Sequence, residues 1–297
     1  MKITNATGIK SQMREQGYVI VRNVFQESEI ATIRKEFDRL KEEALQYKGV
    51  WRDQNVVYMV REHPEKGYHV RFIHWAPYIS PLLDQIRIDK RYLTICSPLI
   101  SNDVKQIQSQ TSWKTPGCAD TYYSFHQDYR FRRPDSAFRN IGTSNLNTML
   151  AVDPHTKENG CLQVYPGSHK MGPLDLPQDN SIMNMGYQQD VLTAAGIDAS
   201  NLVDIELEPG DVALWYSYVI HGSGPNNSSS DRRGFLNSYN KAQDTDRGEW
   251  AFKNGVPCPL SGEPVLINYG AIYDDEDPHY VEGTLYPSRT LQEKNGN

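Results

Sequence analysis

Residues 121–131 read TYYSFHQDYRF. A run of aromatic and small polar residues free of Pro and Gly suits a pleated strand. Side chains along a strand alternate between its two faces, so residues two apart share a face. A strand here puts His126 and Asp128 together on one face, with Tyr122 on the same face and Arg130 joining it if the strand continues straight. An imidazole and a carboxylate so placed are either half of a metal site or a plain hydrogen-bonded pair. A third ligand on another strand would separate the two readings.

The text on either side has the same character. Short β-like runs, KQIQSQTSW (105–113), LNTMLAVD (146–153), CLQVYPG (161–167), LVDIELEPGDVALWYSYVIHG (202–222) and RGFLNSYN (233–240), are separated by turn residues. Val203, Ile205 and Leu207 alternate with Asp204, Glu206 and Glu208 before a Pro-Gly turn, which predicts one dry and one wet face. Many short strands of this kind predict a mainly β (α+β) fold with an antiparallel jelly-roll core. Upstream, residues 18–25 (YVIVRNVF) read as an entering strand. Ile30, Ile33, Phe37, Leu40, Ala44 and Tyr47 then recur at helical spacing, with Ser28 placed to cap that helix and Gly49 to end it. Residues 54–100 carry no chemical motif and are expected to pack around the core, with a short helix over 81–88. Residues 171–201, polar with Pro and Gly, read as an insertion that covers a site. The expected organisation is one domain over 1–297: N-terminal strand and packing helices at 17–100, jelly-roll core at 104–240, C-terminal extension at 241–297.

Composition narrows the class of function. The 297 residues carry a net charge of -6, which provides no basic field for nucleic acid or anionic lipid, so small molecules are the expected partners. Four cysteines stand far apart with no C-x-x-C pair, which argues against a zinc knuckle and for a reducing cytoplasm. No apolar run has the length of a membrane span, and the first residues have no signal-like apolar core.

His221 follows the β-like run ALWYSYVI and precedes Gly222, so it stands at a strand end where it can complete the set. Two His and one carboxylate on one face of iron(II) leave three positions open, enough for a bidentate 2-oxo acid and dioxygen. Eleven residues on, Arg232 stands immediately before the strand-like RGFLNSYN and can fork two hydrogen bonds to a carboxylate. Taken alone, Arg232 reads as a solvated residue beside Asp231, and Arg233 is a rival for the same role.

Four segments in order, SFHQD (124–128), ENGCLQVYPGSH (158–169), EPGDVALWYSYVIHGSGPN (208–226) and RR (232–233), resemble the phytanoyl-CoA dioxygenase-like branch of the iron(II)/2-oxoglutarate-dependent oxygenases. The resemblance runs from about residue 17 to 239. It implies a double-stranded β-helix, cupin-like, with flanking helices. It implies His126, Asp128 and His221 as the catalytic iron ligands and Arg232 as the partner of the distal carboxylate of 2-oxoglutarate. Gln108, Ser112, Thr148 and Ser223 are further candidates for the co-substrate pocket. The implied reaction consumes 2-oxoglutarate and dioxygen, releases succinate and carbon dioxide, and hydroxylates an unactivated C–H bond. A carboxylate at 128 favours hydroxylation over halogenation, because related halogenases leave that position to halide.

The substrate stays open among specialised metabolites, amino acids and acyl thioesters. Tyr122 and Arg130 are the substrate-side candidates, and Arg130, Arg132, Arg133 and Arg139 otherwise read as a basic surface loop. His169 reads as a hydrogen-bonding turn residue, His63-Pro64-Glu65 as a solvated loop, and Glu158-Asn159-Gly160 as a tight turn. Two readings from other classes use the same ligands: a zinc-dependent hydrolase, which needs no Arg232, and a cupin-like metal-binding protein without turnover.

Overall fold

The alternation in residues 202–222 becomes, in the computed structural model, strands that face two ways across a jelly-roll core. The structure describes residues 6–118, 121–132, 135–176, 190–264 and 279–281. In chain order the strands are β1 (Tyr18–Val21), β2 (Val50–Asp53), β3 (Val56–His63), β4 (Gly67–His74), β5 (Val104–Lys114), β6 (Tyr123–His126), β7 (Asn145–Ala151), β8 (Leu162–Val164), β9 (Val203–Ile205), β10 (Val212–Tyr216), β11 (His221–Ser223), β12 (Arg232–Lys241), β13 (Glu249–Lys253), β14 (Val256–Pro257) and β15 (His279–Val281). The helices are α1 (Ala6–Gln16), α2 (Glu27–Ala44), α3 (Pro81–Arg87), α4 (Lys90–Cys96), α5 (Ile141–Ser144) and α6 (Asp190–Ala194).

The larger sheet runs β1-β10-β7-β12-β5-β4-β3-β2-β15, with β13 and β14 attached to the side of β5. The smaller runs β6-β11-β8-β9. All their pairings among the described residues are antiparallel. Met149, Ala151, Ala213 and Trp215 from the larger sheet pack on Val164 and Ile205 from the smaller, which joins the two layers. On the other side of the larger sheet, α2 buries Ile30, Ile33, Phe37, Leu40 and Ala44, and each of the four larger side chains withdrawn from water contributes roughly 1.5–3 kcal/mol.

Some expectations change here. Ser28 lies inside α2. The helix begins one residue past Gln26, whose N–H is taken by the Glu29 carboxylate at 2.8 Å, a reciprocal cap that outcompetes the hydroxyl. Residues 54–100 do more than pack around the core. β3 and β4 extend the larger sheet beyond β5, since their β-branched runs find an open sheet edge to pair with. His63 is the last residue of β3, and Pro64 to Lys66 form the hairpin turn into β4. The expected insertion at 171–201 falls partly outside the described residues. Leu176, Leu192 and Ile197 pack on Phe125 and Ile220, so the described part of this segment packs beside the residues that lead into His126 and His221. Among the described residues no helix is long and apolar enough to cross a membrane.

Candidate metal centre and its cleft

β6 and β11 pair so that His126 and His221 are direct cross-strand partners, their ring centroids 4.2 Å apart. Asp128 reaches them by a different route from the one its spacing predicts. The strand ends at His126, Gln127 stays extended, and Asp128 opens a single 3-10 turn over Asp128–Phe131. Gln127 makes this possible: its buried amide donates to Tyr218 O at 2.6 Å and Gly172 O at 2.9 Å and accepts from Leu174 N at 2.8 Å, which pins the chain where it leaves the sheet. Asp128 Oδ1 then lies 3.6 Å from His126 Nε2, and Oδ2 lies 3.3 Å from His221 Nε2. Ligand atoms of all three residues lie within 4.8 Å of one another.

The donor chemistry suits a cation. His126 Nδ1 faces Ser124 O at 2.6 Å and His221 Nδ1 faces Val219 O at 2.9 Å. A carbonyl oxygen can only accept, so each Nδ1 carries the proton and each Nε2 lone pair points at the carboxylate. Burial pushes His221 down to about 4 against the pull of Asp128, so the imidazole is neutral near neutral pH. Burial works to raise the Asp128 carboxyl, but the two neighbouring imidazoles and the Arg132 guanidinium outweigh it and hold the group well below its usual range. Asp128 Oδ2 also accepts from Asn147 Nδ2 at 2.8 Å and Trp215 Nε1 at 3.1 Å. Neither residue was singled out from the sequence. Polar Asn145 and Asn147 recurring at alternate positions of an apolar run are the signal that was there to find.

A cleft of about 850 Å³, its open mouth included, extends from these ligands to Arg232. Arg232, the first residue of β12, is buried. It donates to Gly160 O, and its Nε has no hydrogen-bond partner. Burial lowers its pKa to about 10. Arg233 points to the opposite face, where it donates to both Asp153 oxygens at 2.8 and 2.9 Å and to Asp38 at 2.7 Å. Lys114 is the register partner of Arg232 on β5 and donates to Ser223 Oγ at 2.7 Å and to Gly224 O. Burial, with Arg232 and Arg71 nearby, holds its ammonium well below the ordinary value.

The remaining candidates divide. Gln108, Ser112 and Ser223 line the cleft. Thr148 does not, because its hydroxyl donates to Asn237 O at 3.1 Å across the β7–β12 pair. Tyr122 is likewise absent from the wall and Tyr123 takes the place. Between the pairs His221↔His126 and Ser223↔Tyr123, β6 has one more residue than β11, and this bulge breaks the period of two. Arg130 falls in the 3-10 turn, where Asp128 and Phe131 are the residues that meet the cleft. Arg132 is buried and bonded to three side chains, whereas Arg139 is exposed and paired with Asp246; Arg133 lies outside the described residues. His169 donates from Nε2 to Arg14 O at 3.1 Å, away from the cleft. His74, from the stretch considered motif-free, lines the cleft.

An antiparallel jelly roll with a His-Asp-His cluster and a buried arginine in one cleft defines a metal-binding, cupin-like class. Within it, the chain belongs to the phytanoyl-CoA dioxygenase (PhyH) family, whose model matches residues 13–234. It is 29% identical over 162 residues to the dioxygenase lolE1 of Epichloe uncinata, covering 54% of this chain and 56% of that one. It is also 29% identical over 145 residues to the methylphosphonate hydroxylase of Gimesia maris, covering 48% and 47%. The chain thus spans about half the length of these curated relatives. Its fold is that of the crystal structure of EctD from S. alaskensis with 2-oxoglutarate and 5-hydroxyectoine, with a TM-score of 0.63 and 20% identity over 90% of this chain and 84% of that one.

Proposed function

We propose that the protein is a non-haem iron(II), 2-oxoglutarate-dependent dioxygenase that hydroxylates an unactivated C–H bond of a small molecule. In this reading His126, Asp128 and His221 hold the metal, Arg232 binds the distal carboxylate of the co-substrate, and Ser223 and Gln108 flank it. The observation that carries the reading is Arg232: a buried guanidinium, with an unpartnered Nε, in the same cleft as the ligand cluster. A buried charge is costly unless a counter-charge arrives. A dianionic co-substrate supplies one, whereas a zinc hydrolase or an inactive metal-binding relative has no use for it.

The residues present fit the group. Two Nε2 lone pairs and a carboxylate on one side of a shared centre are a donor set for iron(II) with open positions opposite. When bound, iron(II) and 2-oxoglutarate supply dioxygen activation and reducing equivalents, the co-substrate leaving as succinate and carbon dioxide. The chain's own residues orient and shield. The Ser124 and Val219 carbonyls fix the two imidazole tautomers, Asn147 and Trp215 hold one Asp128 oxygen, and Lys114 fixes the Ser223 hydroxyl. Leu162, Leu236, Met149 and Phe131 keep the wall apolar and limit water around the target bond. Asp128 occupies the third protein position, which favours hydroxylation over halide transfer.

Residues 1–297 are read as one catalytic unit. The pairing of β4 from the N-terminal part and β13 from the C-terminal part with β5 supports that. Cysteines spaced far apart, with no C-x-x-C pair, support a cytoplasmic setting. The test is anaerobic loading with iron(II) and 2-oxoglutarate, followed by succinate measurement on admitting oxygen. One iron per chain, a visible band on adding 2-oxoglutarate and succinate release are expected. Tight zinc binding with no response to 2-oxoglutarate would sink the proposal.

A further inference from the structure

Resting on that reading of the site, we propose that the cleft wall formed by His74 and Gln110 is a substrate subsite for a carboxylate, with Arg132 buried behind it as the source of positive potential. A guanidinium can only donate. Arg132 Nη1 donates to Gln108 Oε1 at 3.0 Å, so the Gln108 carbonyl is turned toward it and the amide nitrogen away. That nitrogen donates to Gln110 Oε1 at 3.4 Å, a long contact whose direction the first link imposes. The Gln110 amide nitrogen is left facing the cleft that this residue lines. The chain therefore runs donor to acceptor from the guanidinium outward and ends in a donor.

His74 stands on the same wall. It is 6% exposed, and its Nε2 has no hydrogen-bond partner. Its ring is held neutral by burial and by the nearby guanidinium, so it offers one N–H without adding charge. The Gln110 amide accordingly presents a hydrogen-bond donor to the bound molecule, and the neutral His74 ring, whose tautomer no partner fixes, can turn an N–H the same way. An anion is favoured over a neutral carbonyl by the state of Arg132. Its other bonds go to Asn147 Oδ1 and Ser238 Oγ, both at 3.1 Å, and its Nε has no partner. All three of its acceptors are neutral. The only carboxylate in the cleft wall among the described residues is Asp128, which the metal claims. A substrate carboxylate on Gln110 would supply the missing counter-charge through a polarised hydrogen-bond chain.

The test is calorimetric titration of the anaerobic iron(II) and 2-oxoglutarate complex with hexanoate, hexanamide and hexylamine, with the co-substrate saturating so that Arg232 is blocked. Hexanoate should bind on the order of tenfold or more tighter than either analogue, as one charge-assisted hydrogen bond is worth. Gln110→Leu should abolish that preference without altering 2-oxoglutarate affinity, and Arg132→Lys should reduce it. Equal or tighter binding of hexylamine, no binding of hexanoate, or a preference that survives Gln110→Leu overturns the proposal. If the protein takes up no iron or 2-oxoglutarate, the oxygenase reading fails on its own. The same titration on metal-free Arg232→Ala protein, where the other anion anchor is gone, then still decides for or against the carboxylate subsite.

Discussion

Asn147 donates from Nδ2 to Asp128 Oδ2 at 2.8 Å, while its own Oδ1 accepts from Arg132 Nη2 at 3.1 Å. A single buried amide thus sits between the carboxylate of the metal cluster and a buried cation. The donor-only guanidinium dictates which way the amide faces, so the carboxylate oxygen receives N–H and never a competing oxygen. Asn147→Ala should lower metal affinity about 10- to 100-fold, the usual consequence of losing a group that orients a ligand. Competition against a chelating dye measures it. Unchanged affinity in a folded variant would mean that Trp215 alone holds Asp128.

Arg232 and Arg233 are adjacent but belong to different faces of β12, and their substitutions should have different effects. Arg232→Ala should weaken 2-oxoglutarate binding on the order of tenfold or more, with Lys at the position a partial rescue because it lacks the fork. Arg233→Ala should leave that affinity alone and lower thermal stability, since Arg233 ties β12 to Asp153 and to Asp38 of α2. Calorimetry and thermal melts on both variants read the split directly. A reversed pattern would mean the wrong arginine has been assigned to the cleft.

Metal-free protein should lose stability in acid through its buried histidines. Burial holds His74 down to about 3 and His155 well below its usual 6.5, Arg132 adding to the first and Arg232 to the second. Below about 6.5 the unfolded chain takes up protons at both positions, while folded His74 does not until near 3 and folded His155 stays neutral well below 6.5, so unfolding is favoured increasingly as pH falls through that window. The Tm should therefore decline steadily below pH 6.5, and His74→Phe should flatten part of the slope. A variant with the same slope as the parent would show that His74 contributes nothing to it.

Gly160 couples a turn to the Arg232 end of the cleft. Its φ is +70°, and a Cβ there would lie 2.3 Å from Gly224 O, while its own carbonyl accepts from Arg232. Gly160→Ala should cost on the order of 1–3 kcal/mol for the left-handed backbone alone. The backbone shift that relieves the clash should also displace Arg232 and raise the Kd for 2-oxoglutarate. Denaturant melts and co-substrate titration on one preparation test both effects. A destabilised protein with normal co-substrate affinity would uncouple the turn from the arginine.

How much of this was legible beforehand follows from the range over which each physical rule acts. Periodicity is a local property of one element. The α2 face, the β-rich core and the opposed faces of Arg232 and Arg233 could be read from neighbouring letters, whereas His221 does not end the run that became β10 but opens β11 in the smaller sheet. The jelly roll, confirmed by the structure, followed from the same strand periods and turns together with the resemblance. The period failed wherever pairing between distant strands intervened. A bulge opposite β11 replaced Tyr122 with Tyr123, the end of β6 moved Asp128 and Arg130 into a 3-10 turn, and the β7–β12 register spent the Thr148 hydroxyl on a backbone carbonyl. Buried polar groups depend on partners far away in the chain: His74 reached the cleft only because β4 found the edge of β5, and Arg132, one of four arginines that looked solvated, is buried because Gln108, Asn147 and Ser238 converge on it from three strands. By itself the sequence determined which residues could carry the chemistry; tertiary pairing decided which of them share a cleft, because hydrogen-bond satisfaction in a buried site is a property of several strands at once and of no single one.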